Sequence, residues 1–178
     1  MNTSNKLEES LNKIFTTPSY KMVDVSSKKI THRKALATGE IILGQQIIEM
    51  IKTKKMPKGD PLSIAEVSGI NGVKKTSELI PLCHPLPLDH ISLHTEINEK
   101  KYSVIVYCLV SANSKTGVEM EALSGVYSAL LAIYDLSKIV EPNLKITNIK
   151  LLVKSGGKKG LWINPDGIPD KIKNSLNL

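Results

Sequence analysis

The longest regular pattern of apolar and polar positions runs from about residue 115 to residue 138 and predicts one long helix. At about 100° per residue, apolar side chains cover most of its circumference. A polar line occupies about a third of the circumference and is interrupted only by Leu131; its members are Glu121, Ser124, Ser128, Asp135 and Lys138. Because burying charge is costly, this line indicates a function rather than simple packing.

The rest of the chain mixes predicted helices and strands. Isoleucines at helical spacing predict a helix over 39–52, and Asp60 followed by Pro61 is typical of the start of another, running towards Leu79. Three prolines within 81–87 exclude regular structure there. The predicted extended segments cover about 22–25, 30–37, 90–97, 102–112 and 146–153, of which the first is only a short extended piece and the other four are strands. The third and fourth are close enough in sequence to form an antiparallel hairpin.

This mixture predicts an α+β sandwich in which an antiparallel sheet packs against helices. The chain has 178 residues, enough for one domain with a substantial core. We expect a flexible leader over 1–20, a single domain over 21–162 and a tail over 163–178.

Charge and composition narrow the classes of partner. The net charge of +7 favours an anionic partner, such as nucleic acid, acidic lipid or a phosphorylated small molecule. Aromatic residues make up only 4%, which argues against reading nucleic acid by base stacking. No apolar run reaches the ~18 residues of a membrane span, and residues 1–20 lack a signal-peptide core. We therefore expect no membrane partner. Two cysteines, Cys83 and Cys108, make no disulfide framework, so we expect a reducing, cytoplasmic location.

Two reactive side chains, Cys83 and His84, lie side by side in the proline-rich segment, where a stiff backbone can hold functional groups in place. The alternative is a packing loop that buries Cys83. A zinc site would recruit His90, His94 and Cys108, but the two histidines would be about 13 Å apart along a strand. No Cys-x-x-Cys pair is present either. We therefore predict no metal site.

Asp135 and Lys138 lie one helical turn apart. They could form an ordinary surface ion pair worth only tenths of a kcal/mol, roughly. In a partly dry cleft, the same two groups could instead exchange protons, because each tunes the pKa of the other. The apolar surroundings predicted for this helix favour the second interpretation.

Two basic segments are suited to anions. Residues 154–158, with the sequence Lys-Ser-Gly-Gly-Lys, combine backbone N–H groups with ammonium charges, which suits phosphate oxygens. The spacing is not that of a P-loop. Lys58 and Gly59 lead into the predicted helix start at Asp60, and the N-terminus of a helix attracts anions. Either segment could contact phosphate.

Seven segments, in their order along the chain, carry a resemblance to a known family. They are residues 22–26, 31–33, 58–60, 76–86, 115–123, 133–135 with Lys138, and 151–158. Together they resemble the cyclic pyranopterin monophosphate synthase family of molybdenum cofactor biosynthesis. The departures are small: Leu136 and Ser137 stand where the family more often has Met and Cys, and Gly125 lies within the helix.

The resemblance implies a ferredoxin-like α+β subunit that assembles as a homohexamer, a trimer of dimers, with no nucleic-acid partner. It implies a lyase, with residues 21–162 as the catalytic domain. The reaction would convert 3′,8-cyclo-7,8-dihydroguanosine 5′-triphosphate to cyclic pyranopterin monophosphate and release pyrophosphate. By position, Asp135 and Lys138 match the family's catalytic pair. The implied substrate-binding residues are Leu82, Cys83, His84, Met120, Glu121, Arg33, Lys58 and Lys154.

The chemistry of that reaction suits these residue types. A triphosphate needs several cations around it, the role we expect for Arg33, Lys58 and Lys154. Rebuilding the purine takes repeated proton transfers. A lysine whose pKa is lowered by neighbouring cations, paired with an aspartate, can act as acid and then as base. His84 would orient or protonate the base. No cofactor is certain, although a divalent cation could accompany the triphosphate.

Two further expectations concern neighbouring groups. Glu119 lies on the opposite side of the helix from Glu121, so we expect it to be solvated or structural. A ferredoxin-like domain that binds RNA is an alternative function, and it requires aromatic residues on the central strands. Tyr102 and Tyr107 are the candidates, but positions five apart lie on opposite faces of a strand.

Overall fold

The computed structural model describes residues 3–14 and 20–176. Residues 1–2 and 15–19 of the predicted leader, and 177–178 of the predicted tail, lie outside the described residues. In chain order the elements are α1 (Thr3–Ile14), β1 (Thr31–Ile42), α2 (Gln45–Lys52), α3 (Pro61–Lys74), α4 (Thr76–Leu79), β2 (His90–Asn98), β3 (Ser103–Ser114), α5 (Glu119–Ser137), β4 (Lys145–Ser155), β5 (Trp162–Ile163) and α6 (Asp170–Leu176).

The five strands form one antiparallel sheet in the order β2-β3-β1-β4-β5. The succession β1-α3-β2-β3-α5-β4 is the βαββαβ pattern of ferredoxin-like proteins, with β5 added at one edge. Helices α3 and α5 pack against each other, and α5 also lies on β1, β3 and β4. The predicted α+β, ferredoxin-like sandwich is confirmed.

One predicted boundary is wrong. We expected a helix from Gly39, but β1 continues to Ile42 and α2 begins only at Gln45. Gly39 pairs with Val106 of β3 in the sheet, and α5 packs directly over it. The local sequence of residues 39–42 is compatible with a helix or a strand. Pairing with β3 selects the strand, because tertiary contacts override local propensity.

Helix α5 lies at the centre of the core. Val126, Leu130 and Ile133 are fully buried, and each such side chain contributes roughly 1.5–3 kcal/mol by leaving water. The polar line changes character along the helix: Glu121 is buried, whereas the side chain of Asp135 is half exposed. The polar line is therefore buried near the N-terminal end of the helix and accessible to solvent at Asp135.

Helix α3 approaches α5 closely because small residues face each other. A Cβ on Gly72 would lie 2.1 Å from the Ser128 hydroxyl oxygen, and one on Gly125 would lie 2.6 Å from the Val73 side chain. Glycine weakens a helix by about 1 kcal/mol relative to alanine, so close packing is what favours it here. The predicted helix start is confirmed, since the Asp60 carboxylate accepts a hydrogen bond from the backbone N–H of Leu62 at 3.0 Å.

The other face of the sheet carries a second apolar cluster, formed by Tyr107, Leu152, Val153 and Ile168. Ile168 comes from the predicted tail, which also contains helix α6. Helix α1 lies within the predicted leader. In the described parts of the chain, no helix combines the length and the apolar character needed to cross a membrane.

We expect Gly72→Ala to lower the free energy of unfolding by about 1–3 kcal/mol, because the new methyl group meets Ser128 and the Ser124 carbonyl oxygen. Helix propensity alone predicts the opposite sign. Urea unfolding measures the difference, with Asn71→Ala, an exposed position of the same helix, as the control. A Gly72→Ala protein at least as stable as the wild type would contradict this packing.

Candidate active site

The predicted site residues gather at the two ends of helix α5. Glu119 and Glu121 lie in its first turn, and Asp135 lies near its last turn, followed by Lys138 just after it. The stretch of helix from Glu119 to Asp135 spans about 24 Å at a rise of about 1.5 Å per residue. One copy of the chain therefore holds two separate groups of functional residues.

At the C-terminal end, Asp135 lies between two lysines. One carboxylate oxygen is 2.8 Å from Lys138 Nζ and the other is 3.0 Å from Lys58 Nζ. Lys58 comes from the turn that precedes α3, so the packing of α3 on α5 delivers it to Asp135. All three side chains are about half exposed. The predicted catalytic pair is in contact, and Lys58 belongs with it.

The charges of this group are mutually stabilised. Hydrogen bonds from Lys138 and then Lys58 lower the pKa of the Asp135 carboxyl. The hydrogen bond to Asp135 raises the pKa of the Lys138 amine. The prediction of a lysine with a lowered pKa is therefore wrong for this arrangement, because the carboxylate outweighs the neighbouring cation. At neutral pH, Asp135 is therefore ionised and Lys138 is protonated.

At the N-terminal end of α5, a cavity of about 680 Å³ opens between the start of β1 and the loop after β4. Glu119 is the one carboxylate among its lining residues. The cationic residues that line it are Lys28, Lys29, Arg33, Lys34, Lys115, Lys154, Lys158 and Lys159. Such a concentration of positive charge suits a polyanionic ligand. Arg33 and Lys154 thus meet as predicted, whereas Lys58 lies at the other end of the helix.

Some of the donors in this cavity lack protein partners. The Nε of Arg33 and the hydroxyl of Thr31 are buried and have no hydrogen-bond partner among the described residues. A terminal nitrogen of Arg33 donates to the Lys115 carbonyl oxygen at 3.4 Å, a long contact. Buried polar groups are normally paired, so these donors are suited to a ligand that brings acceptors.

The two glycines of the loop after β4 let it pack against β1. Gly156 and Gly157 both have positive φ, which favours glycine. A Cβ on Gly156 would lie 2.2 Å from the His32 carbonyl oxygen, and one on Gly157 would lie 1.9 Å from the Arg33 guanidinium. The Gly-Gly pair therefore places the backbone of this loop beside Arg33.

Glu119 has a defined partner and location, neither of which the sequence predicted. Its carboxylate is 2.8 Å from Lys154 Nζ, and both side chains are about one-third exposed. Since Glu119 lines the cavity, it is not simply solvated. Lys115 also lines the cavity. It was not predicted as a site residue, although it lies in a segment that carries the resemblance to the family. Its position just before the start of α5 was the available signal.

The remaining predicted substrate contacts lie near the same end of α5. Burial, and the nearby charge of Glu121, raise the pKa of the Cys83 thiol. Burial raises the pKa of the Glu121 carboxyl, and Glu119 adds to that effect. Leu82 and Met120 are exposed. These four residues therefore border the cationic end, not the Asp135 end.

His84 also belongs to the cationic end. The pKa of Asp24 is lowered chiefly by hydrogen bonds from Ser26, with smaller electrostatic contributions from Lys115 and His84. Lys115 in turn donates to the Ser26 carbonyl oxygen at 2.9 Å. His84 therefore lies near the segment before β1, which also contacts the cavity residue Lys115.

The described residues do not form the arrangement that a zinc site or an RNA-binding surface requires. Within residues 3–14 and 20–176, no three His, Cys, Asp or Glu side chains are grouped so as to hold a metal ion. Tyr107 is buried beneath the ammonium group of Lys171, whereas Tyr102 lies in the turn between β2 and β3. The two tyrosines therefore offer no shared surface on which bases could stack.

The chain is similar in sequence to several known proteins. A cyclic pyranopterin monophosphate synthase from Thermomicrobium roseum is 42% identical over 146 residues, which cover 82% of this chain and 88% of the relative. The mitochondrial cyclic pyranopterin monophosphate synthase of Arabidopsis thaliana is 44% identical over 141 residues, or 79% of this chain. A molybdenum cofactor biosynthesis bifunctional protein of Synechococcus elongatus is 42% identical over 149 residues, or 84% of this chain.

The chain spans about half the length of the plant and cyanobacterial relatives, 52% and 47% respectively. The family model described as the MoaC family matches residues 22–157, which include both ends of helix α5 and every predicted site residue. With this match and relatives above 40% identity, the chain belongs to the MoaC family.

Proposed function

We propose that this chain is a cyclic pyranopterin monophosphate synthase, a lyase of molybdenum cofactor biosynthesis. It would convert 3′,8-cyclo-7,8-dihydroguanosine 5′-triphosphate to cyclic pyranopterin monophosphate and release pyrophosphate. Family membership and the names of the relatives support this activity. The observation that carries it is the cationic cavity with its unpaired Arg33 donor, since a triphosphate supplies the acceptors that these donors lack.

The cationic end would bind the phosphates. Arg33 offers a planar fork of donors. Lys154 contributes a point charge, and its ion pair with Glu119 holds that charge in the cavity. When the cyclic phosphate forms, a substrate hydroxyl oxygen attacks the α-phosphorus and the bond to the β-phosphate breaks. The hydroxyl proton passes to a base, and the cations neutralise the departing pyrophosphate. A divalent cation accompanying the triphosphate stays a prediction.

The other end would move protons on the purine-derived part. Asp135, held ionised by its two lysines, accepts a proton, and Lys138, held protonated by Asp135, donates one. Once Asp135 is protonated, the pKa of Lys138 falls because its partner has lost its charge. The pair can thus reverse roles from one step to the next. His84 and Glu121 would contact the base from the cationic end, together with Leu82, Cys83 and Met120.

Assembly would bring the two ends together. About 24 Å of helix separates them in one copy, which is longer than a nucleoside triphosphate can bridge. Exposed apolar side chains on the helical layer beside Asp135 offer an interface for a second copy: Ile64 and Val67 on α3, with Tyr127 and Leu131 on α5. We therefore propose that the site is shared between subunits of a homohexamer. The free thiols of Cys83 and Cys108 suit a reducing compartment such as the cytoplasm.

Asp135→Asn should lower kcat by about 10²–10⁴-fold, because the amide cannot accept a proton. The assay incubates the protein with the cyclic dihydroguanosine triphosphate and follows pyrophosphate release. Glu49→Gln, an isosteric change of an exposed carboxylate on α2, serves as the control and should leave the rate unchanged. Near-normal turnover by a folded Asp135→Asn protein would remove Asp135 from the mechanism.

Lys58→Met should raise the pKa of Asp135, because one of the two cations that lower it is lost. Carbon-detected NMR titration of the Asp135 carboxyl measures this directly. The acidic limb of the pH profile of kcat/KM, which reports pKa values of the free enzyme, should move to higher pH by the same amount, since turnover requires the ionised carboxylate. Lys55→Met, which removes an exposed charge from the same loop, is the control. An unchanged Asp135 pKa in Lys58→Met would contradict the assigned electrostatics.

A further inference from the structure

The segment 162–176, called here the C-terminal strap, lies beyond the residues that match the family and still makes defined contacts. It leaves the glycine-rich loop of the cationic cavity, pairs with β4 and then folds over the outer face of the sheet. We propose that the C-terminal strap is a positioning element that holds the loop 155–161 in the shape that binds phosphate. This inference rests on the proposed function for the identity of the ligand.

The strap closes the loop at its root. Lys154 pairs with Trp162, and Val153 pairs with Ile163, in antiparallel register. Asn164 extends this closure, since its backbone N–H donates to the Leu152 carbonyl oxygen at 2.8 Å. Its side-chain amide donates to the Leu151 carbonyl oxygen, also at 2.8 Å. The two ends of the loop are therefore fixed side by side.

The far end of the strap is anchored in the second apolar cluster. Ile168 is 8% exposed and packs with Tyr107 and Leu152. Lys171 lies over the Tyr107 ring, 4.4 Å from its centroid, and pairs with Glu96 of β2. These contacts reach β2 and β3, so they tie the strap to strands well away from the loop it closes.

The loop 155–161 is rich in glycine, so fixing its two ends matters for ligand affinity. Gly156, Gly157 and Gly160 all have positive φ, and glycine loses more conformational entropy on ordering than any other residue. A loop freed at one end would have to be ordered when the ligand binds, and that cost reduces affinity. Once ordered around the bound ligand, the loop would present the same groups to the reacting phosphates, so the chemical step would be unchanged. Loss of the strap should therefore raise KM for the triphosphate and weaken pyrophosphate binding while leaving kcat intact.

The test compares Ile168→Asp, which places a carboxylate in the apolar cluster, with Asn174→Asp, which adds the same charge at an exposed position of α6. Calorimetry with pyrophosphate should show binding about tenfold weaker in Ile168→Asp, because the loop must be ordered on binding. The KM should rise by a similar factor at unchanged kcat. Trypsin should cut faster after Lys158 or Lys159, which lie in the loop.

Asn164→Ala is the milder variant, because it removes only two side-chain hydrogen bonds: the one that the amide donates to the Leu151 carbonyl oxygen and the one that it accepts from the Asp166 backbone N–H. It decides the matter if Ile168→Asp fails to fold. Pyrophosphate affinity and trypsin cleavage equal to those of Asn174→Asp, in whichever variant folds, would overturn the proposal. If the wild type does not turn over the triphosphate but the variants still weaken pyrophosphate binding and speed cleavage, the proposed activity fails and the role of the strap stands.

Discussion

The distance imposed by helix α5 is the constraint on which the rest of this molecule depends. The helix is packed against the sheet on one side, and small residues bring α3 into close contact on another, so it cannot bend to bring its ends together. Asp135 with its lysines is fixed at one end and the cationic cavity at the other. The proposed function, which needs both ends in one site, therefore depends on the proposed assembly with a second copy of the chain.

Each end keeps its cations in place with a carboxylate. Glu119 holds Lys154 in the cavity, and Asp135 holds both Lys58 and Lys138. Ion pairs with this much exposure are weak, so they orient the lysines while still allowing them to exchange partners when a ligand binds. Much of the net charge of +7 can be understood in this way, since the cavity concentrates lysines for a polyanion.

Local signals in the sequence were enough for part of the fold and not for the rest. The apolar pattern predicted α5, and the Asp60 cap predicted the start of α3, because both depend on neighbouring residues. The boundary between β1 and α2 was missed because pairing of Gly39 with Val106 is not visible locally. Most site residues came from the resemblance. Their division between two ends, the raised pKa of Lys138 and the partnership of Glu119 with Lys154 depend on three-dimensional packing.

The proposal that one site takes its proton-transfer end and its phosphate end from different copies is tested by mixing subunits. Asp135→Asn and Lys154→Ala chains, each impaired alone, are refolded together in equal amounts, and pyrophosphate release is measured. A shared site predicts recovery to about a quarter of wild-type activity, because a symmetric interface then pairs one intact end from each chain in that share of sites. Activity no higher than the average of the two parents would place both ends of each site in one copy and contradict the account.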